Sequence, residues 1–304
     1  MAADMKAVKL RMKSIEGTRQ ITRAMELVAA SKLRRVRERA EAVRPYFRIL
    51  KETLEDIARR NTDFSSGYTR GNASDIWCYV VIAGDRGLAG GYNASLFKEL
   101  ESRAEGKEYS VLPIGRKTVE YCRHRKISLI TEDFAVAEGV SAKDCSRMAE
   151  LLCSAYRAGE FGHIALCYTG FLSMLSQEPG AVALLPLEDF GKWREVEALQ
   201  RPDVRVQTAG HEAPLPRPAR NLILYEPDSE SVFDAIVPEY LAGLLYGALC
   251  QSMASELAAR RTAMDAATRN AGEMLEQLSL YYNRARQAGI TQEITEIVAG
   301  ANDA

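Results

Sequence analysis

Histidine is scarce in this 304-residue chain, with only His124, His163 and His211. None sits in an HExxH pattern or beside a nucleophile elbow, so metalloprotease and Ser–His–Asp chemistry have no foothold. The six cysteines (Cys78, Cys122, Cys145, Cys153, Cys167 and Cys250) form no CxxC pair. Zinc-ribbon and dithiol readings therefore lack ligands at the right spacing, and buried free thiols are expected. No uninterrupted run of about 18 apolar residues occurs, so a membrane-spanning helix is not expected. The first twenty residues carry bases throughout in place of an apolar h-region, so no signal peptide is expected. A net charge of −1 gives no bulk attraction to nucleic acid.

What is present is unevenly distributed. Residues 1–60 hold 16 Lys and Arg against 8 Asp and Glu, and the other 244 residues hold 24 against 33. Such asymmetry points to a basic element that faces a partner. In that first block apolar residues recur every three or four positions: Met5, Val8, Met12, Ile15, then Leu33, Val36, Ala40, Val43, Phe47, Leu50, Leu54 and Ile57. This is a coiled-coil seam. Ile21, Met25 and Val28 shift the stripe, which predicts a change of register, and Pro45 predicts a kink. A helix of that length spans roughly 80 Å.

A second long helical pattern fills residues 229–304, with Asp228 or Ser229 able to cap its start. Its register runs Tyr246, Leu249, Met253, Leu257, Arg260, Met264, Ala267, Ala271, Met274, Leu278, Tyr281, Ala285 and Ala288. The segment holds 10 acids and 5 bases, a complement to the basic first block. Pairing the two ends in one two-stranded coiled coil satisfies both seams.

Between them, residues 75–228 alternate strand and helix. Strands are expected at 76–83, 109–115, 163–171, 182–187 and 221–227, with a turn at 84–93 and helices from there through Arg103, over 116–125 and over about 141–158. This predicts a mainly parallel, Rossmann-like α/β domain. Residues 190–220, with four of the ten prolines, read as an irregular connection. The division is thus 1–60, 75–228 and 229–304.

Two stretches carry possible chemistry. GDRGLAGG (84–91) follows a strand and opens a helix, where phosphates bind, yet it matches neither GxGxxG nor GxxxxGK[ST]. KLRRVRER (32–39) could meet a phosphate backbone, although a solvated or protein-facing helix surface is the plainer reading. A nucleotide-using α/β enzyme and a basic coiled-coil nucleic-acid binder therefore stay open beside a mechanical or scaffolding role.

Four segments narrow the choice: KSIEGTRQITRAMELVAASKLRR (13–35), GDRGLAGGYNASL (84–96), LILYEP (222–227) and the run from Ala254 to Gly300. They closely resemble the gamma subunit of F-type ATP synthase. The resemblance implies an antiparallel coiled coil of the two terminal helices, turning as a rotor shaft within a ring of alpha and beta subunits. It implies an α/β domain beside the epsilon subunit and the c-ring. It implies no catalytic residue, cofactor or metal in this chain, no nucleic acid, and membrane association only through the complex. By the same resemblance Met25, Arg260, Gln287, Thr291 and Glu293 face the alpha/beta ring, and Tyr225 and Glu226 lie on the side of the c-ring and epsilon. A bacterial protein on the cytoplasmic side of the inner membrane is expected. The sequence departs from the family's usual pattern at Ala89, Leu257, Arg261 and Gly289.

Overall fold

The computed structural model describes residues 2–60, 66–187 and 225–302. Helix α1 spans Ala2–Arg60 and runs unbroken through Pro45. Strand β1 (Trp77–Ile82), helix α2 (Tyr92–Ala104), strand β2 (Tyr109–Ile114), helix α3 (Arg116–Arg125) and the two-residue strand β3 (Ser128–Leu129) follow. A short 3-10 turn at Ala137–Gly139 leads to helix α4 (Ala142–Arg157), strands β4 (His163–Phe171) and β5 (Gln177–Leu185), and helix α5 (Ser229–Asn302). The expected connection at 190–220 and most of the expected strand at 221–227 lie outside the described residues; Tyr225–Pro227 are not strand.

The chain forms two compact units, Met1–Ser31 with Arg260–Ala304, and Lys32–Ala259. Each long helix therefore runs through both.

In the Lys32–Ala259 unit the sheet order is β3-β2-β1-β4-β5. The first four strands are parallel, and β5 is antiparallel to β4. Only residues 172–176 join β4 to β5, too few for a parallel crossover, so a hairpin is forced. The strand expected at 182–187 begins earlier, at Gln177. Pro179 and Gly180 read as breakers, but β5 is an edge strand, where a missing N–H is tolerated.

Strand β1 shows why its sequence is continuously apolar. Cys78, Val80 and Ile82 face a cluster built with Leu54 and Ile57 of α1, Met148 and Leu152 of α4, and Phe233, Leu241 and Leu245 of α5. Tyr79 and Val81 face the other side, against Leu96 and Leu100 of α2 and Cys122 of α3. Both faces of a parallel sheet are covered, so alternation of polar and apolar is lost. At the start of α4, Ser141 Oγ accepts from Asp144 N at 3.3 Å and Asp144 Oδ2 accepts from Ser141 N at 2.9 Å, a reciprocal cap. Asp228 caps α5 in a similar way, accepting from Ser231 N at 2.7 Å.

Within Ser229–Gln292 a window has mean hydropathy 1.4 with at most two charges, long and apolar enough by composition to cross a membrane. In this fold much of the apolar start of α5 is instead a core helix: Phe233, Val237, Leu241, Leu245 and Leu249 are buried against the sheet and α4.

In the other unit α1 and α5 run antiparallel. Thr22 Oγ1 lies 2.7 Å from Thr268 Oγ1, and Arg261 Nε lies 3.8 Å from Glu26 Oε1, so positions rise along one helix as they fall along the other. The expected register change does not occur. Ile21 and Val28 are exposed, while Thr22 and Ala29 are buried, so the stripe continues through Thr22, Ala29, Leu33 and Val36 at heptad-like spacing. Small side chains carry the seam where the helices approach closely, and a search for large apolar residues passes over them. On α5, Met264 and Ala271 are buried as expected, but Met274 and Tyr281 are exposed, with Leu275, Leu278 and Tyr282 half-buried. The side chains of Val43 and Phe47 lie outside the described residues.

Candidate functional site

The helix pair leaves more apolar surface open than its own seam needs. Leu10, Ile21, Leu27 and Val28 of α1 are exposed, as are Met274, Leu280, Tyr281, Ile290 and Ile294 of α5. Large apolar side chains left open along a coiled coil are candidates for contact with another chain. One ion pair between the helices runs against the charge complement that the composition suggests. The Glu26–Arg261 pair puts the acid on the basic helix and the base on the acidic one, and both groups are partly exposed. A pair of that kind contributes about 0–1 kcal/mol.

The pairing also fixes levels along the helix pair. Met25 and Arg260 are neighbours in sequence of the Glu26–Arg261 pair and stand at one level, both half-buried. Gln287 and Thr291 are exposed and lie about 40 Å further along α5 at helical rise. The five residues expected to face the ring thus form two groups, not one. Thr291 Oγ1 donates to Gln287 O at 3.0 Å, so its proton is held by its own helix and its lone pairs remain to accept. The Glu293 side chain, like those of Ile297 and Val298, lies outside the described residues. The antiparallel register brings Ala2 opposite about residue 287, so α5 continues past the start of α1.

In the α/β unit, Tyr225 is half-buried and packs against the core cluster, whereas Glu226 is exposed. Tyr225 therefore has a structural task that the sequence did not disclose.

The GDRGLAGG turn is built as a structural joint. Asp85 Oδ1 accepts from Arg116 N at 3.2 Å and Ala137 N at 2.9 Å, and Oδ2 accepts from Glu138 N at 3.0 Å. One carboxylate thereby ties the turn to the start of α3 and to the 3-10 turn. Gly84 N donates to Asn93 Oδ1 at 3.0 Å. A carboxylate placed here repels a phosphate, and the nucleotide-cradle reading loses its ground. Leu88 has φ +64° and is 64% exposed, a strained apolar residue offered to solvent at the tip of the turn. Nothing in the sequence pattern singled it out, because a leucine in the left-handed region has no sequence signal.

The basic run 32–39 is partly used internally. Lys32 pairs with Glu138, Arg34 Nε lies 3.8 Å from Glu38, and Arg37 stands 5.8 Å over the Phe171 ring. At least three of its five bases therefore have partners within the chain.

Two long helices paired antiparallel, with a five-stranded α/β unit inserted between them in sequence, define an α/β protein bearing a coiled coil. The family model described as ATP synthase matches residues 4–303. A relative named ATP synthase gamma chain from Ruminococcus albus is 43% identical, with 99% of each chain covered. The sodium-ion-specific ATP synthase gamma chain of Acetobacterium woodii is 35% identical, again over 99% of each. The chain belongs to the ATP synthase gamma-chain family. Among solved structures, the rotor of the Euglena gracilis mitochondrial ATP synthase shares the fold at TM-score 0.65 and 16% identity, covering 95% of this chain and 100% of that one. The central stalk of the Tetrahymena thermophila enzyme does so at TM-score 0.54 and 24% identity, covering 81% and 99%.

Proposed function

We propose that this chain is the rotating central stalk of a bacterial ATP synthase, passing torque between an ion-driven c-ring and the catalytic beta subunits. The helix pair turns inside the ring of alpha and beta subunits, and the α/β unit meets the epsilon subunit and the c-ring. The chain performs no bond chemistry of its own. It binds the membrane through the complex, on the cytoplasmic face. The observation that carries this reading is the helix pair with its seam closed and its outer apolar residues exposed, in a chain of the gamma family.

Within this reading Met25 and Arg260 meet the ring at one level, and Gln287, Thr291 and Glu293 at another. Glu226 faces the c-ring or epsilon side, with Tyr225 behind it as packing. The test is reassembly of the chain with alpha and beta subunits, followed by single-molecule rotation under ATP. Rotation of a probe fixed to the α/β unit supports the reading, and stable assembly without rotation overturns it. Reversing charge by Glu226→Lys is expected to weaken coupling of proton or sodium pumping to hydrolysis in the full complex. Hydrolysis by the detached head should be unaffected. Equal loss of both activities would remove Glu226 from that contact.

A further inference from the structure

Where α5 crosses the sheet it carries two serines, Ser252 and Ser255, one turn apart on one face and both fully buried. Their neighbours on the helix are apolar: Leu249, Ala254, Leu257 and Ala258 are buried too. A serine there gives up packing volume and needs a reason.

The hydrogen bonds supply one. Ser252 Oγ donates to Ile82 O, the last residue of β1, at 3.1 Å. A hydroxyl has one proton, so the 2.8 Å contact with Tyr92 Oη is donated by the tyrosine. Thr169 N donates to the remaining lone pair of Ser252 Oγ at 3.4 Å. Ser255 Oγ in turn donates to Thr169 O at 3.1 Å. The parallel ladder between β1 and β4 stops at Val81 and Cys167. Just beyond it, the two serines take both backbone groups of Thr169. Side chains of the helix continue the sheet's hydrogen bonding where the neighbouring strand has ended. One hydroxyl joins α5 to β1, β4 and α2 together.

Apolar packing alone resists separation far more than it resists sliding, because it is non-directional. Hydrogen bonds fix direction and distance. Serine holds its hydroxyl on a single carbon, so the joint has little slack.

We infer that Ser252 and Ser255 are the positioning residues that lock the angular and axial register of α5 on the α/β unit, so that twist passes into the helix without slip. The inference rests on the reading of the chain as a rotor. The test uses the reassembled complex, with a bead on the α/β unit and the width of its angular fluctuations recorded during a catalytic pause. In the double variant Ser252→Ala, Ser255→Ala the variance is expected at least to double, since most of the polar ties are removed. Tyr92→Phe removes a single tie, keeps the ring packing, and is expected to give a smaller rise; it serves if the double variant fails to assemble. If the unaltered chain assembles but does not rotate, the rotor reading fails and takes the inference with it. If the unaltered chain rotates and the variants show an unchanged width, even with a lowered melting temperature, the serines are ordinary packing residues and the inference is wrong.

Discussion

Gly115 and Gly162 are each held by backbone, not by side chains that could move aside. Gly115 has φ +96°, and a Cβ there would stand 2.1 Å from Ala83 O. A Cβ on Gly162 would stand 1.5 Å from Ser74 O. Alanine at either position is expected to destabilise the α/β unit by more than about 4 kcal/mol, read from denaturant midpoints. By contrast, Gly17 and Gly272 lie within helices with nothing near the missing Cβ, and alanine there is expected to stabilise by about 0.5–1 kcal/mol. The buried cysteines act on stability through pH. Burial pushes Cys122 and Cys153 up to about 11, and Cys145 and Cys167 up to about 12, from an ordinary 9.0. The unfolded chain releases these protons near pH 9 while the folded chain retains them, so folded stability is full below pH 9 and declines as pH rises toward 11–12. Denaturation midpoints across that range check the sign, and a rise in stability above pH 9 would contradict it. The same burial predicts slow reaction with thiol reagents at neutral pH.

Helix α5 behaves as three segments joined end to end. Its start is core of the α/β unit, its middle is one strand of the coiled coil, and its end runs past the partner helix. These segments answer differently to change. In the last one Ile290 is 49% and Ile294 56% exposed, so this end adds little to the chain's own fold. Deletion of residues 295–304 is expected to leave assembly and part of the rotation rate intact, measured on the reassembled complex. Loss of all rotation would show that the tip carries torque, beyond steering the shaft.

For the molecule as a whole, the two levels of candidate ring contact matter most. Arg260 and Gln287 are about 40 Å apart along α5, beyond the distance at which substitutions normally couple. Apolar replacement of both is expected to reduce ATP synthesis strongly. Expressed as free energies from the rates, the two single effects should sum to the double within about 0.5 kcal/mol. A clear departure from additivity would mean that both levels act in one concerted contact, carried through the ring. A rotor tolerates only a few such contacts. Hydrogen bonds to charged groups contribute about 1.5–3 kcal/mol each, enough to hold a pause and, in larger number, enough to trap it.

The long helices, strands β1, β2 and β4 and the family were legible in the sequence because they rest on local, repeating signals, whereas the two-residue strand β3 was not. Helical period shows in α1 and α5, unbroken apolar runs mark β1 and β4, and the motif beginning at Ala254 stands out by length alone. Helix α3 was read at its observed limits, 116–125. What the sequence withheld depends on what lies opposite. Thr22 and Ala29 take the seam only because α5 approaches closely there, and Ile21 and Val28 are thereby left outside. Pro179 sits in a strand only because that strand is an edge. The apolar start of α5 is core because a sheet covers it. Ser252 and Ser255 have their hydroxyls filled by β1, β4 and Tyr92, groups 83 to 170 positions away in the chain. Propensity and period describe a segment by itself, whereas burial and hydrogen-bond partners belong to pairs of distant segments, and only the tertiary structure brings those together.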